Sequence, residues 1–392
     1  MRVAIVVNCL KIGGMERVAV NLADAFHDSG HKTDLIYLKN RKREIEPKNS
    51  TLPVHLFNIK KAALLSGVGT VWFVFCKLLN LLAAKTFPIW FAYIESYFFR
   101  QKLKKLEAQN GKPYDLIIFR GQGTFEHLWP IQDERFVYVC ENVQKKEMYG
   151  RLSKWVFTKL FAKRNVTCVS QGALDSFIDM AKTHHIAPNK AMVINNPNDF
   201  EHIRQQAQSN VADLHTAPYI LGLGRLVPQK NFSLLVQAYH YAIETHGISQ
   251  DLVIVGSGND LKNIQDEVKR LGLTDRVHFK GQQTNPFPWY KNADLYVLSS
   301  KHEGLGMVLL ESLACGTPVV CTDSKGGVRQ IMNGALEPFL ALETPQSLGE
   351  KMHFALNQPW DNEFNHFIQT TLNKFDGKQV ARDFIDEFKV AS

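Results

Sequence analysis

This 392-residue sequence lacks the spacings that mark a metal site or a disulfide framework. Its six cysteines, Cys9, Cys76, Cys140, Cys168, Cys315 and Cys321, form no C-x-x-C pair and keep no metal-type spacing with histidine. Most sit in apolar runs, which reads as buried free thiols in a reducing cytosol. The glycine pair near the start, in KIGGMER, is not a G-x-G-x-x-G fingerprint, and no P-loop lysine follows it. Nicotinamide and P-loop readings therefore fall away. RNA-binding motifs are missing too, and the aromatics cluster with aliphatics instead of interleaving with basic residues, so nucleic acid is not an expected partner. The opening MRVAIVVNCLKIGG is a charged start and a short strand-like run, unlike a secretory signal.

What is present is ordinary soluble composition, 45% hydrophobic and 21% charged, with an uneven spread of charge. Residues 1–195 hold 29 Lys and Arg against 16 Asp and Glu, a net of +13. Residues 196–392 hold 17 against 22, a net of −5, and the two halves make up the chain's +8. A basic first half points to an anionic partner: a membrane surface, a nucleic acid or a phosphorylated substrate. The length is too great for one ordinary core and predicts two domains.

Short β-branched runs alternate with helical patterns throughout. RVAIVVN is a strand; Val18, Leu22, Ala25 and Phe26 then recur at helical spacing, with Gly30 as a stop, and KTDLIYLKN is a second strand. YDLIIFRG, FVYVCEN and NVTCVSQ continue the first half. YILGLGRL, DLVIVGSG, RVHFKGQ, ADLYVLSS and TPVVCTD make up the second, where Asn231 is the expected cap of the helix after YILGLGRL. The pattern predicts two doubly wound parallel sheets that meet in the polar stretch 195–217. Residues 60–105 break the alternation: they are apolar, aromatic and rimmed by lysine and arginine. Ala62–Ala84 is long enough to cross a bilayer, but Lys77 and glycines interrupt it. Helices packed on the sheet explain part of the stretch, and a membrane-dipping amphipathic surface is the preferred reading.

Arg225 and Lys230 lie between the end of one strand and the start of a helix, where open α/β sheets bind ligands. They read as a diphosphate clamp or as solvated loop cations. Gly13 and Gly14 would let a phosphate approach backbone N–H groups, a weak signal alone, and Gly256 is as compatible with a simple tight turn. Glu303 falls in the loop before an apolar helix that carries Glu311, with Gly304, Leu305 and Gly306 between. Two carboxylates there either accept sugar hydroxyls or form a capping acid and a core ion pair.

Taken together, these residues resemble glycosyltransferase family 4. The E-x7-E pattern of Glu303 and Glu311 follows Arg225 and Lys230, and IGGMERVAVNLADAFHDSGH, VINNPND, NADLYVLSSKHEG and TDSKGGVRQIM match in the same order. The resemblance covers nearly the whole chain outside residues 45–110. It implies an α/β GT-B fold, two Rossmann-like domains with parallel sheets facing an interdomain cleft. Residues 1–197 would bind the acceptor and 198–375 the nucleotide sugar, with a helix over 376–392 returning to the first domain. It further implies retaining, metal-independent transfer without a cofactor, from a nucleotide sugar such as a UDP-sugar to a lipid-linked or lipopolysaccharide acceptor at the inner face of the cytoplasmic membrane. By position, Arg225 and Lys230 would take the diphosphate and Glu311 the ribose. Glu303 with Gly304, Leu305 and Gly306 would take the donor sugar, and Gly14 would approach from the first domain. One departure is visible: where many members carry a donor-contacting histidine after the strand YDLIIFRG, this chain has Arg120 and Gln122, and the nearest histidine is His127. An epimerase or phosphorylase of the same fold is the alternative.

Overall fold

The apolar run that opens the chain becomes the third of seven parallel strands. In the computed structural model, which describes all residues except Ile12 and 389–392, these strands are β1 (Arg2–Val7), β2 (Lys32–Tyr37), β3 (Val54–Leu56), β4 (Leu116–Arg120), β5 (Phe136–Cys140), β6 (Asn165–Cys168) and β7 (Lys190–Val193). Their order in the sheet is β3-β2-β1-β4-β5-β6-β7. Parallel strands covered on both faces read as continuous hydrophobic runs, and Val3 to Val7 and Leu116 to Phe119 are completely buried. The period of two divides them: Val3, Ile5 and Val7 enter one core, Ala4 and Val6 the other.

Met1–Asn198 forms one unit together with the segment from Phe375, and Asp199–Lys374 forms a second. The helix Gly377–Phe388 adds Val380, Ala381, Phe384 and Phe388 to the core beneath the helix Gly14–Asp28. Positions 389–392 of the expected C-terminal helix lie outside the described residues. All six cysteines are free, and five are buried.

The second unit carries β8 (Tyr219–Leu223), β9 (Asp251–Val255), β10 (Val277–Gly281), β11 (Leu295–Leu298), β13 (Val319–Thr322) and β15 (Leu340–Ala341), all parallel, in the order β10-β9-β8-β11-β13-β15. A separate two-stranded pair joins β12 (His302–Glu303) to β14 (Lys325–Gly326). Strand order reverses between β1 and β4 in the first sheet and between β8 and β11 in the second. Such reversals open a crevice at the carboxyl ends of the strands.

Residues 59–109 form three helices, Ile59–Leu65, Val68–Leu82 and Phe87–Gln109. The expected span Ala62–Ala84 is thus not one helix: Ser66 and Gly67 interrupt it, and its two parts meet at 107°. Among the described residues no single helix is long and apolar enough to cross a membrane, although that bent pair is by length and composition.

Candidate functional site

The carboxyl ends of β8 and β11 flank the reversal in the second sheet, and hydrogen bonds tie the loops leaving them together. Ser299 Oγ donates to the Lys230 carbonyl at 2.9 Å, and the Lys301 N–H to the Gln229 carbonyl at 2.9 Å. Gln229 Nε2 donates to the His302 carbonyl at 2.9 Å. Across this seam Lys230 Nζ meets Glu303 Oε1 at 2.6 Å, the two side chains only 13% and 10% exposed. The ligand and ion-pair readings of Glu303 therefore converge on one contact at the mouth of the sheet. An ammonium has three donors, and this contact uses one of them. Arg225 stands exposed in the same loop.

Glu303 is held from behind by its own backbone. β12 pairs with β14 so that Glu303 lies opposite Gly326, whose φ is +120°. A Cβ at Gly326 would sit 1.7 Å from the Glu303 carbonyl oxygen, so only glycine fits. The helix Met307–Ala314 starts at Gly306 and brings Glu311, its fifth residue, half-buried beside Tyr290, whose hydroxyl donates to Glu311 Oε2 at 3.4 Å. Tyr290 packs edge-on against Tyr296 at 5.1 Å between ring centroids, and Tyr296 donates to the Leu223 carbonyl at the end of β8. Burial, with the charges of Glu303 and Glu311 added, holds Tyr296 neutral well above the usual phenol range. Both carboxylates thus act electrostatically on one buried tyrosine. Burial and Glu311 push the Cys315 thiol up to about 12.

Gly256, at the end of β9, serves the backbone: a Cβ there would lie 1.9 Å from the Gly224 carbonyl oxygen. Leu305 is buried, which leaves its main chain as the part that could meet a ligand. Asn231 precedes its helix but does not cap it; its side chain donates to Glu343 instead. Tyr290, Tyr296, Gln229 and Ser299 had not been singled out from the sequence. The tyrosines lie in PWYKNADLYVL, which carries no feature separating them from core aromatics.

In the first unit Gly13 and Gly14 open the helix Gly14–Asp28, and a Cβ at Gly14 would meet no described atom within 4 Å. The Arg120 side chain is completely buried, with Nη2 at 2.7 Å from Glu141 and 2.5 Å from Asn196, so it braces the ends of neighbouring strands. Gln122 is half-buried and donates to Tyr149 at 2.8 Å and Glu126 at 3.0 Å. His127 is bound by Glu95 at 2.6 Å.

Among the described residues, one group brings three metal-type ligands together: His215, Asp251 and His278, whose ligand atoms lie within 4.8 Å of one another. It sits at the amino ends of β9 and β10, and Arg276 occupies the second oxygen of Asp251. The carboxyl-end crevice holds no share of it.

Residues 204–373, almost the whole second unit and all four charged site residues, match the family model of glycosyl transferases group 1. The second unit is thus similar to the group 1 glycosyltransferases. It is 28% identical over 242 residues to the N-acetylgalactosamine-N,N'-diacetylbacillosaminyl-diphospho-undecaprenol 4-alpha-N-acetylgalactosaminyltransferase of Campylobacter jejuni, covering 61% of this chain and 64% of that one. It is 39% identical over 110 residues to the lipopolysaccharide core biosynthesis glycosyltransferase LpsE of Rhizobium meliloti, covering 28% of this chain and 31% of that one. The chain thus matches less than two thirds of the length of either relative. The solved structure of Anabaena Alr3699/HepE in complex with UDP superposes with a TM-score of 0.66 at 18% identity, covering 99% of each chain. That likeness is one of fold, the α/β GT-B architecture, over the full length.

Proposed function

We propose that this chain is a group 1 glycosyltransferase that moves a sugar, with retention and without a metal, from a UDP-sugar to a membrane-associated saccharide. The observation that carries the reading is the Lys230–Glu303 pair beside Arg225 and Glu311 at the strand reversal of the second sheet. Arg225 and Lys230 meet the diphosphate, whose developing charge is the part of the reaction a preformed cation pair stabilises best. That supply of positive charge is the reason to expect transfer without a divalent ion. Glu311 accepts the ribose hydroxyls, while Glu303 and the backbone of Gly304 to Gly306 orient the donor sugar. Gly256 contributes by letting the neighbouring loop close on the diphosphate.

Among the described residues no side chain is positioned as an obvious nucleophile. Substitution on the same face, through a short-lived oxocarbenium-like pair, then follows from alignment and leaving-group stabilisation. The acceptor falls to the first unit, whose excess of basic residues suits an anionic membrane on the cytoplasmic face. The two relatives, one named for a diphospho-undecaprenol-linked glycan and one for lipopolysaccharide core biosynthesis, favour such an acceptor. The test is turnover of a panel of nucleotide sugars with bacterial membrane lipid extract as acceptor, read by mass analysis of product and anomeric configuration. A glycosylated lipid with the donor's anomeric configuration is expected. Consumption of donor without any acceptor would replace transfer by the epimerase or phosphorylase reading.

A further inference from the structure

The helix Val68–Leu82 is apolar on both sides, and one side alone is covered. Trp72, Phe73 and Cys76 turn inward: Trp72 Nε1 donates to the Trp90 carbonyl at 3.0 Å, and Phe73 packs on Phe87 and Phe91 at 5.4 and 5.5 Å. On the opposite side Val68, Val71, Val74, Leu78 and Leu81 follow one another at steps of three and four, with Leu82 adjoining the last, and all six are 54–88% exposed. A surface helix places polar residues on such a stripe, and a helix apolar all round is normally enclosed.

The surrounding charge says what covers it. Residues 57–106 contain eight Lys and Arg and a single acid, Glu95, which is buried and bound to His127. Lys60 and Lys77 hold their ammoniums 5.4 and 5.6 Å from the Phe73 ring, at the rim of the stripe. Two copies of this face would set like charges against each other, whereas a lipid surface with anionic headgroups complements both the stripe and its rim. A crossing is opposed by the elbow. Ser66 Oγ donates to the Ala63 carbonyl at 2.7 Å and accepts from the Gly69 N–H at 3.1 Å, and a Cβ at Gly69 would lie 2.0 Å from that carbonyl. The bend of 107° is therefore built in, and the fifteen residues of Val68–Leu82 span about 22 Å, short of a hydrocarbon core of about 30 Å.

We propose that Val68–Leu82 lies in the plane of an anionic bilayer surface, its exposed stripe sunk into the acyl boundary and Lys60, Lys61, Lys77 and Lys85 among the headgroups. The inference rests on the proposed function only in taking the acceptor to be membrane-borne; the binding itself requires no transfer. The full chain is sedimented with phosphatidylethanolamine–phosphatidylglycerol vesicles and with phosphatidylcholine vesicles over a range of salt. Binding to the anionic vesicles, partly released by salt, is expected. The combined change Val71→Ser, Val74→Ser, Leu78→Ser and Leu81→Ser lowers it about tenfold or more. Lys60→Gln and Lys61→Gln lower it about fivefold each and flatten the salt dependence. The serine variant keeps its melting temperature and its transfer to a soluble saccharide acceptor. Absent vesicle binding by the unmodified chain, or equal binding by the serine variant, overturns the proposal. So does a lipid-free dimer that the serine variant dissociates. Loss of sugar transfer with vesicle binding intact would strike the donor-site reading and leave this one standing.

Discussion

Two regions of this chain invert the usual placement of side chains, in opposite senses. At the strand reversal of the second unit, Lys230 and Glu303 are charges drawn mostly out of water. On the helix Val68–Leu82 of the first unit, leucine and valine are pushed out into it. A fold selected for stability alone would avoid both, because desolvating an ion pair costs about as much as the pair returns and exposed hydrocarbon returns nothing. Both placements make sense when a molecule from outside completes them: an anionic diphosphate in one case, a lipid surface in the other. They differ in how firmly each is built. The charged site is stapled by hydrogen bonds between two loops, while the apolar stripe stands on a small satellite core around Ala63, Cys76 and Phe91.

The comparison breaks most sharply at Lys230. Lys230→Ala lowers transfer about 10^2- to 10^3-fold through the lost diphosphate contact. It also strands a mostly buried carboxylate, lowering stability by about 3 kcal/mol in urea unfolding. Lys230→Met combined with Glu303→Gln restores much of that stability and none of the activity. Stability and activity recovering together would make the pair purely structural.

Glu311→Gln is expected to act more narrowly. Weakening a charged hydrogen bond of about 1.5–3 kcal/mol raises KM for the nucleotide sugar roughly tenfold to a hundredfold. KM for the acceptor stays where it was, and steady-state kinetics against both substrates separate the two.

A glycine substitution sharpens the same contrast. Gly326→Ala forces a Cβ onto the Glu303 carbonyl at a φ of +120° and costs about 1–3 kcal/mol, with reduced transfer because Glu303 moves.

The smallest effect lies in the first unit, where Arg135 ties the helix Phe87–Gln109 to the turn before β5. Its guanidinium bonds Asp133 through two nitrogens at 2.9 and 2.7 Å and Glu107 at 2.8 Å. Burial alone would raise the Asp133 carboxyl, but the hydrogen bonds and charge of Arg135 outweigh it and hold it below the ordinary value. A carboxyl depressed by folding contributes stability that is complete above its ordinary value, near pH 4, and is lost as pH falls through the folded value. Melting temperature measured downward from pH 6 should therefore decline less steeply in Asp133→Asn, by an amount below about 1 kcal/mol.

The sheets were legible because buried parallel strands are nearly continuous apolar runs, and RVAIVVN, YILGLGRL and ADLYVLSS all became strands where the alternation predicts them. The positions of Arg225, Lys230 and Glu303 past strand ends, and of Glu311 inside the following helix, were legible because local pattern locates both. What a residue touches across the sheet was not. Arg120 ends its strand as Arg225 follows one, yet Glu141 and Asn196, from the loops after β5 and β7, draw it inside. Nothing local in LIIFRG announces those partners. The tyrosines beneath Glu303 and Glu311 were hidden for the same reason, and so was the elbow at Gly69, which depends on a carbonyl six residues earlier meeting a missing side chain.

The account turns on the claim that the loops after β8 and β11 grip a nucleoside diphosphate. Calorimetric titration of UDP and of UMP into the full chain and into Arg225→Ala and Lys230→Ala tests it directly. The prediction is that UDP binds the unmodified chain, that each substitution weakens it about tenfold or more, and that UMP affinity changes little. Equal UDP affinity in all three proteins would contradict it.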